Sequence, residues 1–61
     1  MISKEEMVRE IFKDINLRPV AKDIRIDKVL KNFSYEEIEE VYNLFIKDKE
    51  NAEVYAQALS Y

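Results

Sequence analysis

Apolar residues recur every three to four positions along most of the chain, the spacing that places them on one face of an α-helix. The first such stripe consists of Val8, Ile11, Phe12 and Ile15. Ahead of it, Ser3 and Glu6 have the spacing of a capping box, in which each side chain bonds the backbone amide of the other residue. The pattern predicts a first helix that begins after Ser3.

This first helix is expected to end near Asn16, because asparagine tolerates the left-handed backbone that often closes a helix. Leu17 would then fold back onto Phe12. Arg18 precedes Pro19, and a residue before proline is driven out of helical geometry. We therefore expect a break in the helical structure at Arg18.

The segment 19–33 does not fit a single amphipathic helix. At about 100° per residue its apolar side chains fall on two opposite sides, with Val20, Ala21 and Ile24 on one and Ile26, Val29, Leu30 and Phe33 on the other. We therefore predict two short helical pieces that meet near Arg25, the second capped by Asp27. An extended segment over 23–27 is the alternative, because apolar and charged residues alternate there with period two.

The strongest helix start lies at Ser34, where Glu37 completes a second capping box. The stripe that follows consists of Ile38, Val41, Tyr42 and Phe45 and is broadened by Tyr35, Leu44 and Ile46. A helix that is apolar over more than half its circumference is expected to lie at the centre of the fold.

The last part of the chain has two interpretations. The polar segment 47–51 indicates a connector, with Asp48 or Asn51 capping a final helix. Alternatively, spacings of three and four residues form a heptad seam that only Asp48 interrupts; its members are Ile38, Val41, Phe45, Asp48, Ala52, Tyr55 and Leu59. A connector gives a compact hairpin, whereas a continuous helix of about 26 residues would be about 39 Å long and would need a second copy.

These elements predict one all-α domain over residues 1–61, a small bundle of three or four short helices. A long C-terminal helix would make it a dimer. The longest uninterrupted apolar run is 44–46, and the first residues lack the apolar core of a signal peptide. We therefore expect no membrane association and a cytoplasmic location.

Composition excludes most catalytic chemistry. The 61 residues include no cysteine, histidine or glycine, so the commonest metal ligands, the commonest general base and the usual phosphate-binding loops are missing. Ser3 and Ser34 are explained as helix caps. The carboxylates of Glu36, Glu37, Glu39 and Glu40 are interpreted as a solvated helix start. We expect no enzyme activity, no cofactor and no metal site.

Charge is unevenly distributed within the net −3: residues 1–12 carry −1, residues 13–33 carry +3 and residues 34–61 carry −5. On a helix, a basic stripe able to follow phosphates would form from Arg18, Lys22, Arg25 and Lys28. Asp23 and Asp27 interrupt this segment, and the isoelectric point of 4.9 is far from that of a nucleic-acid domain. A dimeric DNA-binding regulator is therefore an alternative and not the favoured function.

Four tyrosines and three phenylalanines supply the large amphipathic rings that are common at protein interfaces. We predict a non-enzymatic protein-interaction module, such as an adaptor, inhibitor or anti-regulator, that presents a tyrosine-bearing helix face rimmed by carboxylates. The predicted contact residues are Ile38, Val41, Tyr42, Phe45, Tyr55, Leu59 and Tyr61. The partner would be another protein, and a structural homo-oligomer built on the heptad seam is the other alternative.

Overall fold

A computed structural model describes residues 1–60 of the chain. Over that range the protein is all-α, which confirms the predicted fold class. The helices are α1 (Lys4–Phe12), α2 (Pro19–Asn32), α3 (Tyr35–Ile46) and α4 (Ala52–Ala58), with a 3₁₀ turn at Lys49–Asn51. They form a body of 26 × 25 × 21 Å.

Helix α1 lies at the centre of the bundle and contacts α2, α3 and α4. Its apolar stripe is completely buried, as Val8, Ile11 and Phe12 have no exposed surface. The expectation that α3 would be central is wrong, since α3 packs against α1, α4 and the 3₁₀ turn but not against α2, and leaves part of its wide apolar surface in solvent. The Nζ of Lys4 donates to the carbonyl of Leu30 at 2.7 Å, which ties the start of α1 to the end of α2.

Helix α1 ends at Phe12, earlier than the predicted stop at Asn16. No residue over 1–60 has a positive φ, so the left-handed closure predicted at Asn16 is wrong. The chain instead turns through short-range bonds, from the Ile15 amide to the Phe12 carbonyl and from the Leu17 amide to the Ile15 carbonyl. The first of these bonds satisfies the last carbonyl of α1, and the second closes a separate tight turn beyond the helix.

Helix α2 is one continuous helix of 14 residues. Both the predicted break near Arg25 and the alternative strand over 23–27 are therefore wrong. The prediction assumed that both apolar sides of this segment are buried, but Val20 and Ile24 are 73% and 54% exposed. The start was predicted correctly, because Arg18 is extended and Pro19 occupies the first helical turn.

Helix α3 begins with the complete capping box that the sequence predicts. The amide of Glu37 donates to Ser34 Oγ at 3.2 Å, and the amide of Ser34 donates to the Glu37 carboxylate at 2.8 Å. At the start of α1 the amide of Glu6 donates to Ser3 Oγ at 3.1 Å, which is the first of the two bonds of a box. The start of α3 is therefore the better capped of the two.

Replacing Ser34 with alanine should remove the bond from the Glu37 amide to Ser34 Oγ and lower the free energy of unfolding by about 1 kcal/mol. For a domain of this size that corresponds to a fall in Tm of roughly 4–8 °C. Thermal unfolding followed by circular dichroism measures the shift. Ser60→Ala is the control, because Ser60 is exposed and its hydroxyl donates to the Gln57 carbonyl at the end of the described chain. Equal shifts for the two variants would show that the box does not stabilise α3.

The segment after α3 turns back on itself as a hairpin. Asn51 occupies the N-cap position of α4, as predicted, and Asp48 occupies that of the 3₁₀ turn. Neither residue makes a capping bond with its side chain, so that part of the prediction is wrong. The 3₁₀ turn instead leads directly into α4, which packs on both α1 and α3. The single chain therefore forms the compact hairpin that a connector at 47–51 predicts. Dimer formation stays a prediction.

Candidate functional site

The residues predicted to contact a partner divide between the core and its margin. Ile38, Phe45 and Leu59 are 0%, 5% and 1% exposed and belong to the protein's own core. Val41, Tyr42 and Tyr55 are half-buried and pack at the edge of that core. Tyr61 lies outside the described residues. Of the predicted contact residues that the structure describes, the three half-buried side chains are therefore the ones that can contact a partner while the chain stays folded.

Three aromatic rings form a row that crosses from α3 to α4. The centroid of the Phe45 ring is 6.2 Å from that of Tyr42, with a tilt of 39°. The Tyr55 centroid lies 6.3 Å from that of the same Phe45 ring, in an edge-to-face arrangement. Rings at these separations attract one another beyond the burial of apolar area. Contact with the buried Phe45 thus holds both Tyr42 and Tyr55 in place at the edge of the core.

The Asp48 carboxylate organises the turn next to Tyr55. It accepts a hydrogen bond from the Tyr55 hydroxyl at 2.9 Å and two from Asn51 Nδ2 at 3.1 and 3.0 Å. The bonds from Asn51, then the bond from Tyr55, lower the pKa of Asp48, against a small opposing effect of burial. The same carboxylate raises the pKa of the Tyr55 hydroxyl. This network fixes the orientation of the Tyr55 ring.

Fold stability should therefore depend on pH through Asp48, whose polar neighbours Asn51 and Tyr55 are both neutral in acid. Because its pKa is lowered by folding, this carboxylate stabilises the fold above an ordinary Asp pKa of about 4. That contribution is lost as the pH falls through the lowered pKa. We expect the difference in Tm between the wild type and Asp48→Asn to be smaller at about pH 2 than at about pH 6. An equal difference at both values would contradict the assignment.

Helix α3 also carries apolar side chains that the core does not take up. Leu44 is 54% exposed and lies one helical turn from the half-buried Val41, and Ile46 is 45% exposed one turn from Tyr42. The sequence pattern placed Leu44 and Ile46 only as a broadening of the core stripe. Their exposure could not be read from periodicity, because it depends on where α1 and α4 pack.

The glutamates of α3 at positions 36, 37, 39 and 40 are exposed, as expected of a solvated helix start. Over residues 1–60 the ion pairs are Arg9–Glu5, Arg9–Asp23 and Lys31–Asp27, all within α1 and α2. The acidic charge of α3 is thus not neutralised by the basic charge of α2 within the described chain. It is available to a cationic surface of another molecule.

The predicted basic stripe lies along one side of α2 and its N-terminal flank, but two of its members are engaged with the chain itself. Lys22 Nζ donates to the Lys13 carbonyl at 3.2 Å. The guanidinium of Arg25 lies 5.0 Å from the centroid of the Phe12 ring and covers the core there. Arg18, at the N-cap, and Lys28 are exposed. Over residues 1–60 the stripe therefore has the exposed Arg18 and Lys28 at its two ends and the engaged Lys22 and Arg25 between them.

Metal-ligating side chains do not cluster: over residues 1–60, no three or more of the His, Cys, Asp and Glu positions come together as ligands for an ion. Within the same part of the chain, no helix has the length and apolar character needed to cross a bilayer. A comparison of the chain with protein families, curated proteins and solved structures found no match. The chemistry of the surface is therefore the basis for assigning a function.

Proposed function

We propose that this protein is a non-enzymatic protein-interaction module, a small cytoplasmic adaptor, inhibitor or anti-regulator. Its contact region is the α3 surface, which we define as the apolar Val41 and Leu44 with the exposed Glu37 and Glu40 on the same side of α3. The observation that carries the proposal is the exposure of Leu44, 54%, directly beside the half-buried Val41 on a helix whose carboxylates are unpaired with cations over residues 1–60. Apolar side chains with a charged rim are the composition of a binding surface.

The chemistry of the α3 surface defines the kind of partner. The exposed Leu44 and the half-buried Val41 give this surface an apolar centre that loses contact with water on binding. The exposed Glu37 and Glu40 lie one turn before Val41 and Leu44 respectively. A matching partner therefore offers an apolar groove bordered by lysine or arginine side chains, into which α3 docks as a helix. Long-range attraction would make association fast at low ionic strength.

A binding role also agrees with the side chains that the protein has available for catalysis. It has no imidazole and no thiol, and the Ser3 and Ser34 hydroxyls accept bonds from backbone amides at helix starts. Each of these hydroxyls thus serves as a helix cap. The properties through which the protein can act on another molecule are therefore the shape, the apolar area and the charge of its surface.

The proposal is tested by comparing two surface variants in capture from a native cell lysate. Leu44→Lys places a charge in the middle of the α3 surface, and Val20→Lys makes the same kind of change on α2. Both positions are largely exposed, so each variant should remain folded with a Tm close to that of the wild type. We expect a specific protein to be retained by the wild type and by Val20→Lys, and its recovery to fall at least about tenfold with Leu44→Lys.

Two outcomes would contradict the proposal. One is the absence of any protein that the wild type retains more strongly than an unrelated small acidic domain. The other is equal retention by Leu44→Lys together with loss on Val20→Lys, which would move the contact region to α2. Retention that weakens with added salt would further support a cationic border on the partner.

A second candidate function is nucleic-acid binding through α2. It is favoured by one observation, that α2 is continuous and so places its cationic side chains along a single helix. Lys28→Glu should then abolish retention on a DNA column that itself falls steeply with salt. Passage of the wild type through the column at low salt would exclude this function.

A further inference from the structure

The turn between α3 and α4 depends on the backbone angles of a few residues. Asp48 has φ −151° and ψ 55°, and Asn51 has φ −105° and ψ 40°, whereas Lys47 before them and Ala52 after them keep right-handed helical angles. Neither glycine nor proline occurs anywhere from 34 to 61. Rotation of the backbone at Asp48 and Asn51 is therefore enough to join α3 and α4 into one helix, and no residue type in the segment opposes it.

The two helices carry a common apolar stripe. In the hairpin its members are buried or half-buried, and all except Asp48 pack into one core; they are Ile38, Val41, Phe45, Asp48, Ala52, Tyr55 and Leu59. Their spacing of three and four residues would keep them on one side of a continuous helix. Straightening would therefore preserve an amphipathic helix while separating α4 from the core that now buries it.

We propose that the protein exchanges α4 with a second copy of itself, forming a domain-swapped dimer in which α3 and α4 are one continuous helix. This inference does not depend on the proposed docking of α3 to another protein. Each core is completed by α4 of the other copy, so the contacts that α4 now makes with α1 form between the two chains. These contacts are the same in the monomer and in the swapped dimer. The free-energy difference between the two states therefore depends on the turn between α3 and α4.

The dimensions of the molecule require the second copy. A continuous helix from 35 to 59 has about 25 residues and would be about 38 Å long. The longest dimension of the single chain is 26 Å. A straightened α4 would thus project beyond its own bundle and expose Ala56 and Leu59, which are now 1% exposed. An identical chain offers the groove that matches these side chains.

Asp48 holds the single chain closed. Its carboxylate accepts three hydrogen bonds from Asn51 and Tyr55 across the turn. In the continuous helix Asp48 would stand in the middle of the apolar stripe. Two copies of this carboxylate would face each other near the two-fold axis, where like charges repel and burial is costly. The residue that interrupts the heptad seam is therefore the residue that favours the monomer.

Replacement of Asp48 with leucine tests this inference. The change removes the three bonds of the turn and completes the apolar stripe, so the variant should be mainly dimeric at about 0.1 mM, where the wild type is monomeric. Size-exclusion chromatography with light scattering should show the mass of 7.3 kDa increase to about twice that value. Circular dichroism should show greater helicity, since the turn also becomes helical.

The control separates domain swapping from simple surface adhesion of the new leucine. Lys49 is the first residue of the 3₁₀ turn, a position that accepts proline, while proline in the middle of a long helix breaks it. Asp48→Leu combined with Lys49→Pro should therefore return to a monomer of 7.3 kDa. A dimer that persists in this double variant, or an Asp48→Leu protein that stays monomeric, would overturn the inference.

The wild type gives an independent test if Asp48→Leu does not fold. Refolding from denaturant at about 1 mM favours exchange of elements between chains. We expect a dimer fraction that can be isolated from the wild type and that is absent from Lys49→Pro treated in the same way. Equal dimer fractions for the two proteins, or none in the wild type, would likewise overturn the inference.

Discussion

Replacing Phe12 with alanine should leave most of the protein unfolded at 25 °C. The ring of Phe12 is completely buried in the central helix and carries the Arg25 guanidinium on one face. Truncation of such a side chain costs about 3–5 kcal/mol, because the lost apolar area and the cavity both act against the fold. A single core in a chain of this size supplies no more than about 3–5 kcal/mol of net stability. Far-UV circular dichroism in a urea titration measures the loss.

The control for this variant is Val20→Ala. Val20 is 73% exposed on α2, so the change should alter the free energy of unfolding by about 0.5 kcal/mol or less. Similar midpoints for Phe12→Ala and Val20→Ala would mean that α1 is not at the centre of the bundle.

Substitution of Ile26 by aspartate should also unfold the protein at neutral pH, while the same substitution at Ile24 should be tolerated. Ile26 is 2% exposed and Ile24 is 54% exposed, although they are two residues apart on α2. A carboxylate at the buried position would lose its hydration, a penalty of several kcal/mol. At the exposed position the cost is about 1 kcal/mol or less. Thermal melts of the two variants measure the difference.

This pair also tests the continuity of α2. In one helix, two residues that are two positions apart point about 160° away from each other, so their environments must differ. Equal destabilisation by the two substitutions would contradict a continuous helix with a single buried side. It would favour a break near Arg25, the arrangement that the sequence pattern predicts.

The helix starts were predictable because their determinants are local. Ser34 and Glu37 bond each other's backbone within one turn, and Pro19 restricts its own backbone and that of Arg18. The end of α1 was not predictable in the same way. Asparagine permits a left-handed backbone at Asn16 but does not require it, and the packing of Ile15 and Leu17 against the core selected another turn.

The errors in α2 and α3 have one physical cause. Periodicity shows which side chains share a face of a helix, but the face that is buried depends on the neighbouring helices. Val20 and Ile24 were expected in a core and lie in solvent, while α1, with the narrower stripe, took the central place. Exposed apolar residues are common on folded proteins, so an apolar pattern alone does not require burial.

The candidate site shows the same limit. The sequence identified the apolar stripe of α3 and α4, but a stripe can belong to a core or to an interface. The structure assigns Ile38, Phe45 and Leu59 to the core. Leu44, which the sequence analysis did not include among the contact residues, lies exposed beside Val41. Only the three-dimensional arrangement separates these two groups.

The most direct measurement of the proposed function is a nuclear magnetic resonance titration of the isotope-labelled protein with the partner recovered by capture. We expect the largest changes in amide chemical shift at Val41 and Leu44, while Val20 and Ile24 on α2 are unchanged. Largest changes along α2, with the α3 surface unaffected, would contradict the proposed function.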